Sequence, residues 1–205
     1  MQKAIFNIQN ETDFERCALQ VFKHQFQNNK VYRSFCDLLY IHPSDVKEVT
    51  QIPFLPIQFF KTHQVLSTNQ SVQETFTSSG TTGAQVSKHL VADLSWYETS
   101  YTRAFEHFYG PIEDYTVLGL LPNYLEREGS SLIYMVNDFI HKSNNPKSGF
   151  YLDTLSELTK TLIALDQKGE KVLLIGVTFA LLDLIESQTF TLNNTVIMET
   201  GGMKG

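Results

Sequence analysis

The chain has 205 residues, 42% of them hydrophobic and only 19% charged, against roughly 25% charged in typical soluble domains; this excludes a disordered protein and fits one large domain or two small ones. A formal net charge of -6, from 16 basic and 22 acidic residues, excludes a non-specific nucleic-acid binder, which needs a cationic footprint. It still allows an anionic small molecule, because one backbone-lined loop can hold phosphate inside an acidic protein.

Thr12-Asp13-Phe14-Glu15 has the form of a capping box and predicts the start of a helix. Phe14, Cys17, Ala18, Val21 and Phe22 then share one face at helical spacing. A second helix is expected over Val31 to Leu39, with Val31, Phe35, Leu38 and Leu39 inward, followed by a polar connector from Ser44 to Gln51. In Ile52-Pro53-Phe54-Leu55-Pro56-Ile57-Gln58-Phe59-Phe60-Lys61 the two prolines forbid a regular helix, so a rigid apolar segment leading into a short helical turn is expected. Phe59, Phe60, Tyr124 and Tyr134 are aromatic residues suited to a pocket, although core packing is the commoner role.

From Val72 the pattern changes. Val72 to Thr77 and Gln85 to Ala92 read as strands, and Asp93 as the cap of a helix through Phe108 with Leu94, Tyr97, Tyr101, Ala104, Phe105 and Phe108 as its apolar stripe. Tyr115 to Leu121 reads as a buried strand. Ser130 to Lys142 follows as a helix with Leu132, Ile133, Val136, Phe139 and Ile140 inward. Leu155 to Leu165 reads as helix, Lys171 to Val177 as strand, Phe179 to Glu186 as helix and Thr195 to Thr200 as strand. The expected fold class is therefore α/β: a helical lead-in over residues 1–71, then alternating strands and helices over 72–205 forming a mostly parallel sheet.

The two cysteines, Cys17 and Cys36, form no CxxC and predict free, buried thiols in a reducing compartment. The N-terminus has no signal-peptide pattern, and no apolar run is long enough to span a bilayer, so a cytoplasmic location is expected. The six histidines show no metal-ligand spacing.

The loop Ser78-Ser79-Gly80-Thr81-Thr82-Gly83 carries the chemistry. Two glycines three apart allow positive φ and close backbone approach, and four hydroxyls add donors for a polyanion. Neither a Walker A loop nor GxGxxG matches it. Composition alone leaves an ordinary Ser/Thr/Gly hairpin turn equally open. The order Phe76-Thr77-Ser78-Ser79-Gly80-Thr81-Thr82-Gly83 resembles the phosphate-loop signature of adenylate-forming enzymes, the superfamily of acyl-CoA synthetases. The usual x-P-K-G that follows is replaced by Ala84-Gln85-Val86-Ser87-Lys88, which delays the basic residue to Lys88.

Three more segments narrow the likeness: Ile52 to Lys61, then Leu121-Pro122-Asn123-Tyr124-Leu125-Glu126-Arg127 with Gly129 to Met135, and Glu199-Thr200-Gly201-Gly202-Met203-Lys204-Gly205. In this order they resemble the LuxE-like acyl-protein synthetases of bacterial bioluminescence. The resemblance implies part of the large N-terminal domain of an adenylate-forming enzyme, incomplete at its C-terminal side and inactive alone. It implies ATP and Mg²⁺ as cofactors, with Ser78, Ser79, Gly80, Thr81, Thr82 and Gly83 on the ATP phosphates. Gly201, Gly202, Met203 and Tyr124 fall at the adenine and acyl pocket, and Glu199 is the candidate metal ligand. Glu126 and Arg127 fit a solvated pair at the start of a helix equally well. Catalytic residues are not assigned. The implied activity is ATP-dependent activation of a fatty or other carboxylic acid as an acyl adenylate, then transfer to a protein thiol. The implied partners are an acyl-accepting or reductase protein, with no nucleic acid and no membrane span. An acyl- or aryl-CoA ligase, or a non-catalytic nucleotide-binding module, are the alternatives.

Overall fold

The computed structural model describes residues 2–78, 85–121 and 129–201. The chain divides into two compact units, Met1–Ser100 and Tyr101–Gly205, with the boundary inside one helix.

The first unit carries α1 (Gln2–Ile5), α2 (Glu11–Asn28), α3 (Lys30–Leu38), a 3-10 turn at Val49–Gln51, α4 (Phe59–Thr62), a hairpin of β1 (Glu74–Thr77) and β2 (Lys88–Val91), and the first half of α5 (Leu94–Tyr109). α2 starts earlier than the capping box at Thr12 predicts. Asn10 sits in extended backbone and its side chain accepts from Asp13 N at 2.9 Å, so it takes the cap and Thr12 falls within the first turn. One buried residue, Asn29, joins α2 to α3. Its N–H closes α2 on Gln25 O at 2.8 Å, and its Oδ1 opens α3 by accepting from Tyr32 N at 3.1 Å.

α3 buries only part of the face expected: Phe35 packs against the core as expected, but Leu38 and Leu39 do not. Tyr32 and Cys36 point inward, whereas Leu38 and Leu39 are 79% and 46% exposed. Tyr32 donates its hydroxyl to Pro53 O at 2.6 Å, which locks that face against the proline-rich segment and turns Leu38 out. Phe22, Phe26, Tyr32, Cys36 and Val46 form the core. Both cysteines are free and buried, and burial pushes the Cys36 thiol and the Tyr32 phenol up, so both stay protonated at neutral pH.

The second unit is built on a four-stranded sheet in the order β4-β3-β5-β6, every pair parallel. Its elements are β3 (Thr116–Leu120), α6 (Ser131–Ser143), β4 (Gly149–Phe150), α7 (Leu155–Gln167), β5 (Val172–Val177), α8 (Thr178–Ser187) and β6 (Thr195–Thr200). From Thr116 onward the alternation of strand and helix gives the parallel sheet that the sequence predicts, whereas the strands expected over Val72 to Thr77 and Gln85 to Ala92 pair only with each other, antiparallel, in a sheet of their own. β4, two residues long, is an addition. The central strands are covered on both faces, which is why they read as continuous apolar runs. Leu118, Leu120, Val172 and Leu174 pack under Leu158, Leu162 and Leu165 of α7 and Ala180 and Leu184 of α8. Leu121 and Ile175 face Ile133 and Val136 of α6 on the other side. Each of these Leu, Ile and Val side chains contributes about 1.5–3 kcal/mol when fully buried. Ser130 caps α6, accepting from Ile133 N at 3.4 Å. β5 runs straight into α8 with no intervening loop. Gly176 permits this, because a Cβ there would meet Leu120 Cβ and Leu181 Cγ at 3.0 Å.

β6 is held at its start by a buried carboxylate. Asp166, in the last turn of α7, accepts from Asn193 N at 3.1 and 3.0 Å, from Asn194 N at 2.7 Å and from Thr195 Oγ1 at 2.9 Å, and Asn194 Nδ2 returns a bond to Asp166 O at 3.0 Å. The Asn193 N–H, then the Asn194 N–H and the Thr195 hydroxyl, hold this carboxyl below the usual carboxylate range, against the opposing effect of burial. A depressed native pKa stabilises the fold above the unfolded value, about 4, and that contribution is lost as pH falls through the native one. Asp166→Asn turns an amide toward these donors. The variant should therefore melt below the parent at neutral pH, with the gap closing as pH falls below about 4. Thermal melts across that range check this; a gap independent of pH would remove the charge from the account.

Candidate functional site

Two regions hold the residues singled out above, one in each unit. In the first unit β1 and β2 pair antiparallel, with Thr77 opposite Lys88. Beyond that pair Ser78 N donates to Ser87 O at 3.1 Å, and Ser87 N donates to Ser78 Oγ at 3.1 Å. These bonds close the neck of the glycine- and hydroxyl-rich loop. The Ser78 N–H is thereby committed, and what Ser78 has left to offer a ligand is its hydroxyl proton. Ser79, Gly80, Thr81, Thr82 and Gly83 lie outside the described residues. Lys88 is exposed at the base of β2.

Two of the sequence segments are joined here. Gln85, on the far side of the loop, donates its amide to Lys61 O at 2.7 Å, and the Phe60 ring stacks on His89 of β2 at 5.6 Å and 3°. The proline-rich segment therefore buttresses the arm of the loop that returns to β2. Gln85 and His89 were not picked out by sequence reasoning; both belong to strand and loop positions whose partner, α4, is more than twenty residues away in the chain. Phe59 packs edge-on against Phe35 at 5.7 Å.

In the second unit the sheet presents the carboxyl ends of its strands to one edge, the position where open α/β sheets bind ligands. Glu199 lies near the end of β6 and is exposed. Gly201 follows with φ +79, a conformation that L side chains rarely adopt. Thr178, the first residue of α8, places its Oγ1 2.6 Å from Glu199 Oε1 and 2.7 Å from Gly201 O. The hydroxyl has one proton, which these two acceptors share. Thr178 thus orients the carboxylate as the outer-shell partners of metal ligands do. An exposed, oriented carboxylate suits Mg²⁺, which is held through one or two carboxylates together with substrate phosphates. Among the described residues the buried Thr200 Oγ1 beside it has no hydrogen-bond partner. Sequence reasoning missed Thr178, since a threonine opening a helix carries no signal of a partner on another strand. Tyr124, Gly202, Met203, Glu126 and Arg127 lie outside the described residues. Among the described residues no three His, Cys, Asp or Glu side chains gather to hold a metal ion, and no helix is long and apolar enough to cross a membrane.

The sequence profile of the family described as "Acyl-protein synthetase, LuxE" matches residues 4–106, half of the chain. The chain belongs to the LuxE family. The match takes in residues 4–100 of the first unit, the loop included, and ends within α5. The long-chain-fatty-acid–luciferin-component ligase of Photorhabdus luminescens is 30% identical to this LuxE-family chain over 70 residues, which cover 34% of this chain and 60% of that protein. The aligned part therefore spans less than two thirds of that relative. No solved structure matches the chain significantly.

Removing the Thr178 hydroxyl without changing the side chain's shape removes its contacts with Glu199 and Gly201 together. Thr178→Val should cost about 0.5–1.5 kcal/mol, read as a melting temperature lower by a few degrees, and Thr178→Ser should restore most of it. Equal melting of the valine and serine variants would show that the hydroxyl contributes nothing at this edge.

Proposed function

We propose that this chain provides the phosphate-binding loop and part of the α/β domain of an ATP-dependent acyl-protein synthetase. In this reading a long-chain carboxylic acid is activated as its acyl adenylate and the acyl group then passes to a protein thiol. The observation that carries it is the loop of residues 78–83: its neck is pinned by Ser78 and Ser87, its return arm is tied to the Pro53–Lys61 segment, and it lies inside the stretch matched by the LuxE family. The name of the Photorhabdus relative supports the substrate class, a long-chain fatty acid, and the ligase type.

The chemistry explains why such a loop is needed. An acid oxygen forms a bond to the α-phosphorus while the bond to the departing pyrophosphate breaks. Two anions must meet, so catalysis rests on positioning and on neutralising charge rather than on an acid/base pair. The hydroxyls of Ser78, Ser79, Thr81 and Thr82, with the backbone N–H groups around Gly80 and Gly83, are the donors for the β- and γ-phosphates. Glu199, oriented by Thr178, is the candidate holder of Mg²⁺, which neutralises phosphate oxygens when bound. Gly201, Gly202, Met203 and Tyr124 are assigned to the adenine and to the surroundings of the reacting carboxylate. Lys88 has no assigned role.

A ligand that binds only the native state stabilises it by about 2.7 kcal/mol at a hundred times its dissociation constant. ATP with Mg²⁺ should therefore raise the melting temperature of this chain. The double variant Thr81→Ala, Thr82→Ala should lose that rise, because each hydroxyl donor to a charged phosphate is worth about 1.5–3 kcal/mol. An identical rise in the double variant would place the triphosphate elsewhere. In a longer LuxE-family protein containing this segment, the same substitutions should depress carboxylate-dependent ATP–pyrophosphate exchange.

A further inference from the structure

The first unit contains a cavity of about 970 Å³ lined by α2, by the segment around Pro53, by β2 and by the start of α5. Small-molecule sites usually measure about 300–1,000 Å³. Among its lining residues Cys17, Phe22 and Tyr32 are buried, at 4%, 2% and 7% exposed. Leu90 and Val91 of β2 and Trp96 of α5 line it as well, while Phe14 and Phe54, 50% and 76% exposed, leave apolar surface toward solvent.

The polar side chains deep in the lining are satisfied among themselves. Gln25 Oε1 accepts from Ser67 Oγ at 2.5 Å and from Asn29 Nδ2 at 3.2 Å. Asn29 Oδ1 caps α3, and the Tyr32 hydroxyl is given to Pro53 O. These groups call for neither water nor a polar ligand. Among the described residues no Lys or Arg lines the cavity, and its only ionisable side chains besides Cys17 and Tyr32 are His24, His89 and Asp93. An interior of this kind takes hydrocarbon and gives an anionic head no fixed countercharge.

We propose that this cavity is a binding site for the hydrocarbon chain of a long-chain carboxylic acid, with the carboxylate left at the mouth. The choice of acid rests on the function proposed above; the site rests on the cavity's own described lining, all of it within the first unit. β2 gives the site its link to the loop. The strand that lines the cavity at Leu90 and Val91 begins at Lys88, a few residues after Gly83.

Trp96 is the sole tryptophan in the chain and lines the cavity, so its emission reports occupancy. Palmitate, kept below the concentration at which it forms micelles, should shift that emission to the blue in a saturable way with one molecule per chain. Across a series of saturated acids the dissociation constant should fall about fourfold per methylene until the cavity is full. Ala18→Phe fills the lining beside Cys17 and should weaken palmitate at least tenfold. Cys17 lines the cavity and Cys36 does not, so palmitate but not hexanoate should slow alkylation of Cys17 by N-ethylmaleimide, mapped by mass, in the unmodified chain. That second measurement decides the matter if Ala18→Phe does not fold. Palmitate binding that leaves Trp96 emission and the Cys17 rate unchanged, or no palmitate binding at all, overturns the proposal. The ATP–Mg²⁺ melting shift on the same chain is read separately. A nucleotide shift without a palmitate response removes the cavity alone, and a palmitate response without a nucleotide shift removes the loop alone.

Discussion

A single carboxylate fixes where the last strand enters the sheet. Asp166 gathers two backbone N–H groups and a hydroxyl from residues 193–195, and the register of β6 against β5 follows from that anchor, with Thr195 opposite Val172 and Glu199 opposite Gly176. A slip of one residue would turn every β6 side chain to the other face of the sheet. The meeting of Glu199, Gly201 and Thr178 at the far edge thus depends on a buried anion at the near edge. Buried charge is tolerated only when hydrogen-bonded, and here the donors come from the chain segment that the charge positions.

The first unit shows the same economy in neutral groups. Asn29 ends one helix and begins the next with its backbone and its side chain, and Tyr32 then spans from α3 to Pro53. Gln85 and Phe60 continue the chain of contacts from the proline-rich segment to the hairpin. Local bonds of ordinary strength, about 0.5–1.5 kcal/mol each, set the neck of the loop in place, because each one fixes the direction of the next element.

Much of this was legible in the sequence where one physical signal dominates. β3 and β5 are apolar runs because both their faces are covered, and α6 is announced by Ser130 and an apolar stripe that buries Ile133, Val136 and Phe139 as expected. The errors lie where two signals compete. Asn10 and Thr12 are both good caps, and only backbone geometry chose Asn10. α3 has two apolar faces, and the tyrosine hydroxyl that decided between them finds its acceptor 21 residues away. β4 is too short to carry a pattern. Of the candidate site, the loop and Glu199 were visible from residue order, whereas Thr178, Gln85 and His89 take part only through partners distant in sequence. The cavity left no signature, since Cys17, Val21 and Phe22 look the same in a line of residues whether they meet a neighbour or surround a space.

β6 also stands at one border of the four-stranded sheet. Among the described residues no strand pairs with its outer side, and Ile197 on it is 56% exposed. A row of open N–H and C=O groups is a template for another strand, and proteins usually blunt such rows with charge, proline or very short strands. β4, at the opposite border, is short enough to be harmless. β6 is six residues long and carries the exposed Ile197, and a lysine in place of Ile197 is the simplest gatekeeper for such an edge.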